Sequence, residues 1–351
     1  MHRRQFMMGA AAMAALMAGG ARGAKSRPLT FDAMGEVRFE YSEEVIRAMK
    51  ASGMDAITIT LCDPKSYEEA AYKEAVTAVR EHDAYFAKHP QHYLKATTVA
   101  DLDKARAAGQ IAIYYLFQNS TQFGHDLNRV DEFYDMGVRS AQITYNHQNW
   151  AGSGCKELGA NGLTEFGQQL IERMNAKRML IDLSHANMKT MADSIAASKA
   201  PVVISHTACA ALFKNVRNTT DENLKALADK GGVVGMCQMR PFMTTLRKGA
   251  LPVYFQHIAH AVKVAGADHV AIGSDRDHRV IQLTPEYMAE VKREEGPNFN
   301  PDQWPLFIDE LNGPRRMEVV WDGVRKLGLP SADVEKIMGG NLRRLYTEVI
   351  G

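Results

Sequence analysis

Two histidines, His185 and His206, each follow a serine at the end of a short apolar run, in "MLIDLSH" (179–185) and "PVVISH" (201–206), 21 residues apart. An imidazole nitrogen ligates zinc and titrates near neutral pH, so a repeated Ser-His ending marks candidate metal or proton-transfer chemistry. One such histidine is more often a hydrogen-bonded core residue; two at equivalent places favour function. Asp275, in "AIGSDRDH", closes a third run of the same kind. Two imidazoles and a carboxylate around one opening are the ligand and base set of a metal-assisted hydrolase, in which a bound ion lowers the pKa of water to about 7.

These residues need elements that end side by side. Short apolar runs read as strands at Leu29–Met34, Asp55–Leu61, Ile111–Phe117, Arg139–Tyr145, Met179–Ser184, Val202–Ser205, Gly232–Met236 and His269–Gly273. Helical patterns separate them, at Ser42–Ala51, Tyr67–Lys88, Leu127–Met136, Thr164–Ala176, Met188–Ala197, Asp221–Asp229 and Val253–Val264. Each run is too short and too apolar for a sheet with one wet face, and no Gly-rich phosphate loop follows the first, which argues against a doubly wound sheet. The order predicts an α/β fold, a (β/α)8 TIM barrel, as one domain over residues 24–351. In such a barrel the C-terminal strand ends surround the active-site mouth, which brings His185, His206 and Asp275 to one rim.

The composition is ordinary for a globular chain: 351 residues, 46% hydrophobic and 24% charged. A formal net charge of +1 argues against a nucleic-acid partner. Residues 1–23, "MHRRQFMMGAAAMAALMAGGARG", hold paired arginines (Arg3, Arg4) before an apolar stretch and small residues, and read as a twin-arginine-type export signal. A membrane anchor is the bland alternative, but the apolar run is shorter than the roughly 18–20 residues a span needs. Cleavage after Gly23 removes three arginines (Arg3, Arg4, Arg22) and takes the charge from +1 to −2. The expected product is periplasmic, with no stable membrane span. Cys62, Cys209 and Cys237 lie at apolar strand ends, where a buried thiol is the default, and Cys155 sits in a Gly-rich loop with its pairing open.

Longer motifs run through the chain: "GLTEFGQQLIERMNAKRMLIDLSHANMKTM", "SKAPVVISHTACAAL", "VRNTTDENLKALADKGGVVG", "VAGADHVAIGSDRD" and, more weakly, "IMGGNLRRLY". In these the sequence resembles the membrane (renal) dipeptidase family of metallopeptidases, over nearly all of the mature chain. The resemblance implies an amidohydrolase-like barrel that cleaves dipeptides and related amides with two zinc ions bridged by a glutamate and a water. It gives His185 and His206 to the second metal, the proton of the nucleophilic water to Asp275, and the substrate's terminal carboxylate to Arg217. An arginine fork suits that last task by meeting a carboxylate with two parallel hydrogen bonds.

At three places, four residues depart from the family pattern. Met34 and Glu36, in "DAMGE", stand where a histidine and an aspartate bind the first metal. Gln118 stands at the bridging glutamate, and Tyr145 replaces a histidine that contacts the substrate carbonyl. A thioether is a poor zinc ligand beside imidazole, and a neutral amide cannot offset the repulsion of two dications. Tyr145 keeps a donor for a developing oxyanion; His147, two residues on, is a second donor, although loop histidines are usually solvated. The first metal site therefore reads as dismantled, leaving one zinc on His185 and His206 with Asp275, and Gln118 or Glu36 as further ligands. The reading is a one-metal dipeptidase-like hydrolase of the cell envelope acting on a small peptide-like substrate with a free carboxylate. The alternative is a non-catalytic or altered relative that binds, or helps mature, a peptide-like molecule in the periplasm. A homodimer is left open.

Replacing Arg3 and Arg4 together by lysine should hold the protein in the cytoplasm, as read by cell fractionation. Undiminished periplasmic protein in that variant would exclude twin-arginine export.

Overall fold

The computed structural model describes residues 27–157, 159, 161–296 and 299–351. The expected export signal at 1–23 lies outside the described residues. Nine parallel strands form the sheet: β1 (Phe31–Gly35), β2 (Ala56–Thr60), β3 (Tyr93–Lys95), β4 (Ile111–Phe117), β5 (Val138–Gln142), β6 (Leu180–Asp182), β7 (Val203–Thr207), β8 (Val233–Met236) and β9 (Val270–Ile272). β1 pairs with both β2 and β9, and β2 pairs with β4 from Ala56↔Ala112 to Thr60↔Leu116, which closes eight strands into a ring. The fold is a (β/α)8 TIM barrel.

All eight barrel strands fall where alternating apolar runs predicted them. The sequence reading missed β3, which pairs with the first residues of β4, and the helix Val99–Ala107 after it. Three residues are too few to reveal a period of two. The helix carries a readable start, a capping box in which Thr98 and Asp101 exchange hydrogen bonds.

The two ends of the barrel differ. Residues at the N-terminal strand ends, among them Phe31, Ala56, Leu180, Val203 and Val233, pack with Leu342, Leu345 and Tyr346 of the last helix, Asn341–Val349. Tyr346 stands edge-on to Phe31 and Tyr114 at 4.9 and 4.8 Å between ring centroids, and its hydroxyl bonds Thr58 Oγ1 at 2.5 Å. The last helix plugs that end, and a cavity lies at the opposite rim.

Close approach on the β7–β9 side requires glycine. A Cβ on Gly235 or Gly273 would fall inside the van der Waals envelope of the Ser205 carbonyl oxygen, and the two glycines also face each other. Backbone cannot swing aside as a side chain can. Gly273→Ala should therefore cost about 2–3 kcal/mol, the upper part of the range for overpacking, read as a lower denaturant midpoint. An unchanged midpoint would contradict this packing.

Candidate active site

Strand ends on the open side surround a cavity of about 830 Å³, lined by Glu36, Gln118, Tyr145, His185, Arg217 and Asp275 among others. His206 lies beneath it, fully buried at the end of β7. Each lining residue follows from strand geometry. Glu36 succeeds β1, Gln118 succeeds β4, His185 comes just after β6 and Asp275 just after β9.

The two histidines meet. Their Nε2 atoms are 3.0 Å apart and their rings cross at 66°. Neighbours fix which nitrogen of each carries hydrogen. His185 Nδ1 lies 2.8 Å from Asn146 Oδ1, and an amide oxygen only accepts, so Nδ1 donates. Ser205 Oγ gives its proton to Asp182 Oδ2 at 2.5 Å and so accepts from His206 Nδ1 at 2.8 Å. Both Nε2 atoms thus present lone pairs to one another. Burial, then the Arg217 charge, holds both imidazoles well below their ordinary pKa, so no proton is readily available to sit between them.

That arrangement fits one cation. Two nitrogens on a tetrahedral zinc, each at about 2.0–2.1 Å from it, stand roughly 3.3–3.4 Å apart, close to the spacing here. Among the described residues, no three His, Cys, Asp or Glu side chains are grouped closely enough to hold an ion.

Asp275, expected as a third ligand, lines the same cavity as His185. Its backbone N–H is given to Met34 O at 2.8 Å, and its charged neighbours are Arg217, Arg276 and Glu36. Burial pushes its carboxyl up to about 7, against the pull of Arg217 and Arg276. A carboxyl near neutrality is suited to take a proton. Glu36 pairs with Arg38 at 2.6 Å at the rim of the cavity both line. Met34 packs its side chain in the buried interior, and Gln118 reaches the cavity.

Tyr145 stacks on His185, with centroids 4.1 Å apart at 28°. His147 is exposed and faces Glu157 at 3.1 Å, so the solvated reading holds for it. Arg217 is buried; its Nη2 lies 3.4 Å from His206 O, its guanidinium sits over Phe242 at 5.3 Å, and its Nε has no partner. Cys155 is a buried free thiol 3.5 Å from Asn146 Oδ1, and Cys62, Cys209 and Cys237 are also free. Sequence reasoning missed Asn146, Asp182 and Ser205, which orient the histidines. The serines preceding both histidines were visible, but not their bonding. His185 and Asp275 both adopt left-handed backbone, at φ 65° and 53°. Such conformations cost of order 1–3 kcal/mol and cluster at functional sites.

Comparison with known proteins places this site in context. A family model described as membrane dipeptidase (peptidase family M19) matches residues 42–294. An uncharacterized dipeptidase of Schizosaccharomyces pombe is 35% identical over 181 residues, which make up 49% of this chain and 43% of that one. The match thus spans less than half the length of that relative. An amidohydrolase from Pseudomonas aeruginosa superposes with a TM-score of 0.80 at 26% identity, covering 92% of this chain and 97% of that. A metallopeptidase from Rhodobacter sphaeroides, liganded with a phosphinate mimic of the dipeptide L-Ala-D-Ala, gives 0.76 at 18% identity, covering 92% and 100%; this last likeness is one of fold.

The bonding around Ser205 predicts a single tautomer. Nitrogen-15 NMR of chelator-treated protein at pH 6 should show His206 neutral with hydrogen on Nδ1, and Ser205→Ala should abolish that preference. Protonation on Nε2 in the unaltered protein would refute the chain from Asp182 through Ser205.

Proposed function

We infer the function from one premise: the chain belongs to the membrane dipeptidase family, peptidase family M19. Its members are metal-dependent dipeptidases, so this is a dipeptidase-like metallohydrolase family. On that premise the protein hydrolyses dipeptides or related small amides and carries one metal ion rather than two. The observation that carries this reading is the pair of Nε2 lone pairs 3.0 Å apart, with no group of three acidic, cysteine or histidine donors among the described residues.

His185 and His206 would hold the ion, zinc being the family's usual choice, with water and the Gln118 amide available to complete its ligands. A bound zinc supplies a water of lowered pKa and a positive charge for the amide oxygen. The chain's own groups do the rest. Asp275, with its carboxyl pushed up to about 7, accepts the proton of the attacking water and can return it to the leaving amine. Tyr145, stacked on His185 at the cavity wall, is placed to offer its hydroxyl to the developing oxyanion. Arg217 meets the substrate's terminal carboxylate with its guanidinium, whose Nε has no partner among the described residues.

Charge supports a count of one. In a two-ion site three carboxylates and a hydroxide balance four positive charges. Here Gln118 is neutral and Glu36 is committed to Arg38. Unit charges a few Å apart interact by several kcal/mol even at an effective dielectric near 20, so a second dication is poorly held.

Export to the cell envelope, by a signal at 1–23 ahead of a single barrel over 24–351, completes the proposal. No helix among the described residues is long and apolar enough to cross a membrane.

Protein purified without chelator and dialysed should retain at most one metal per chain and cleave members of a dipeptide panel. His185→Ala combined with His206→Ala should remove both metal and activity. Two retained ions per chain would overturn the count. Metal binding with no hydrolysis of any dipeptide would favour the non-catalytic relative.

A further inference from the structure

The arginines around the cavity divide into two kinds. Arg38 pairs with Glu36 and Asp277, and Arg279 pairs with Asp277. Arg217 and Arg276 are different. Both line the cavity, both are buried (6% and 9% exposed), and among the described residues neither forms an ion pair with a carboxylate.

Arg276 directly follows Asp275. Its guanidinium touches the Met239 sulfur at 3.4 Å and lies over the Phe307 ring at 5.8 Å. A thioether and a ring face soften the loss of water but cancel no charge. Its backbone is fixed, because its carbonyl accepts from Arg316 Nη2 at 2.9 Å and from the Glu36 N–H at 3.3 Å. The side chain is thus presented to the cavity from a held base. Guanidinium stays charged at any working pH, and a buried unpaired cation is costly. Asp275 feels both arginines, but one carboxyl cannot satisfy two forks while also serving as proton acceptor.

We propose that the cavity selects dipeptide-like substrates carrying a second anionic group, a side-chain carboxylate, and that Arg276 is the residue that selects it. This rests on the hydrolase reading above, with the terminal carboxylate on Arg217. The second carboxylate meets Arg276, and the methylenes leading to it lie against Phe307 and Met239. Arg276 is then a specificity residue, acting on the substrate and not on the scissile bond.

The test compares isosteres that differ only in charge, Ala-Glu with Ala-Gln and Glu-Ala with Gln-Ala, by kcat/KM in the metal-loaded protein. At least one acidic peptide should be preferred by about tenfold or more, the worth of a charge-assisted hydrogen bond. Arg276→Gln should bring that ratio close to one, and Arg276→Lys should restore part of it. Equal rates for each pair in the unaltered protein overturn the proposal, whatever the variants do, and so does a preference that survives Arg276→Gln. If no peptide is cleaved, the hydrolase reading falls, and calorimetric binding of the same four peptides decides. Tighter binding of an acidic member that depends on Arg276 upholds the inference, and equal binding overturns it.

Discussion

The carboxylate of Asp182 has no contact with solvent and accepts four hydrogen bonds. Ser184 N and Ser205 N reach one oxygen at 3.0 Å each, and Ser205 Oγ and Gln142 Nε2 reach the other at 2.5 and 3.0 Å. A buried carboxylate is tolerable only when its lone pairs are taken, and these donors come from β5, β6 and β7 or their ends. The same bonds therefore join three neighbouring strands and set the direction of one serine hydroxyl. That hydroxyl decides the hydrogen on His206, and His206 faces His185. The chemistry of the mouth is in this sense an outcome of how the barrel satisfies one charge in its interior.

The arrangement occurs twice. Asp32 in β1 accepts from Ser274 N at 2.8 Å, Ser274 Oγ at 2.5 Å and Met34 N at 3.3 Å, as Asp182 does from Ser205 and Ser184. Each aspartate bonds the N–H two residues on and a serine on the adjacent strand's end. After those serines come His206 and Asp275. Burial pushes Asp32 up to about 6, with Arg316 and Ser274 pulling the other way. Arg316 in turn grips the carbonyls of the segment after Asp275. His185 and Asp275 hold left-handed backbone because each is locked, the first by Cys155 N to its carbonyl at 2.7 Å, the second by its own N–H to Met34 O.

Much of the frame was legible. Eight apolar runs with helical patterns between them describe a closed parallel barrel, because strands covered on both faces leave no polar alternation. The Ser-His repeat was legible as a pair, since equivalent strand ends converge. What escaped is informative. Asp182 and Asp32 sit inside apolar runs and look like interruptions of a strand; only pairing across the ring reveals their donors. Asn146 belongs to a loop whose path no periodicity encodes. Asp275 lines the cavity as its strand end implies, while the left-handed turn that carries it and the two arginines near it are invisible in strand patterns. Glu36 does line the mouth, and its pairing there with Arg38, two residues away, is not encoded in any strand pattern.

Positive charge at the mouth can come from ions or from side chains, and the two compete. A site built for two dications needs carboxylates to gather them, and the departures at Met34 and Gln118 remove a ligand and a negative charge from that side. Arg217 and Arg276 add two fixed cations whose field reaches Asp275. Each would repel a further dication brought nearby, and screening by solvent is weak for groups this buried. The same field favours an anionic guest. On the one-metal proposal, the departures at the first metal site and the unpaired guanidiniums are two sides of one electrostatic balance. The protein's own cations would then take over the gathering of negative charge, and the proposed acidic substrate would supply the carboxylates that neutralise them.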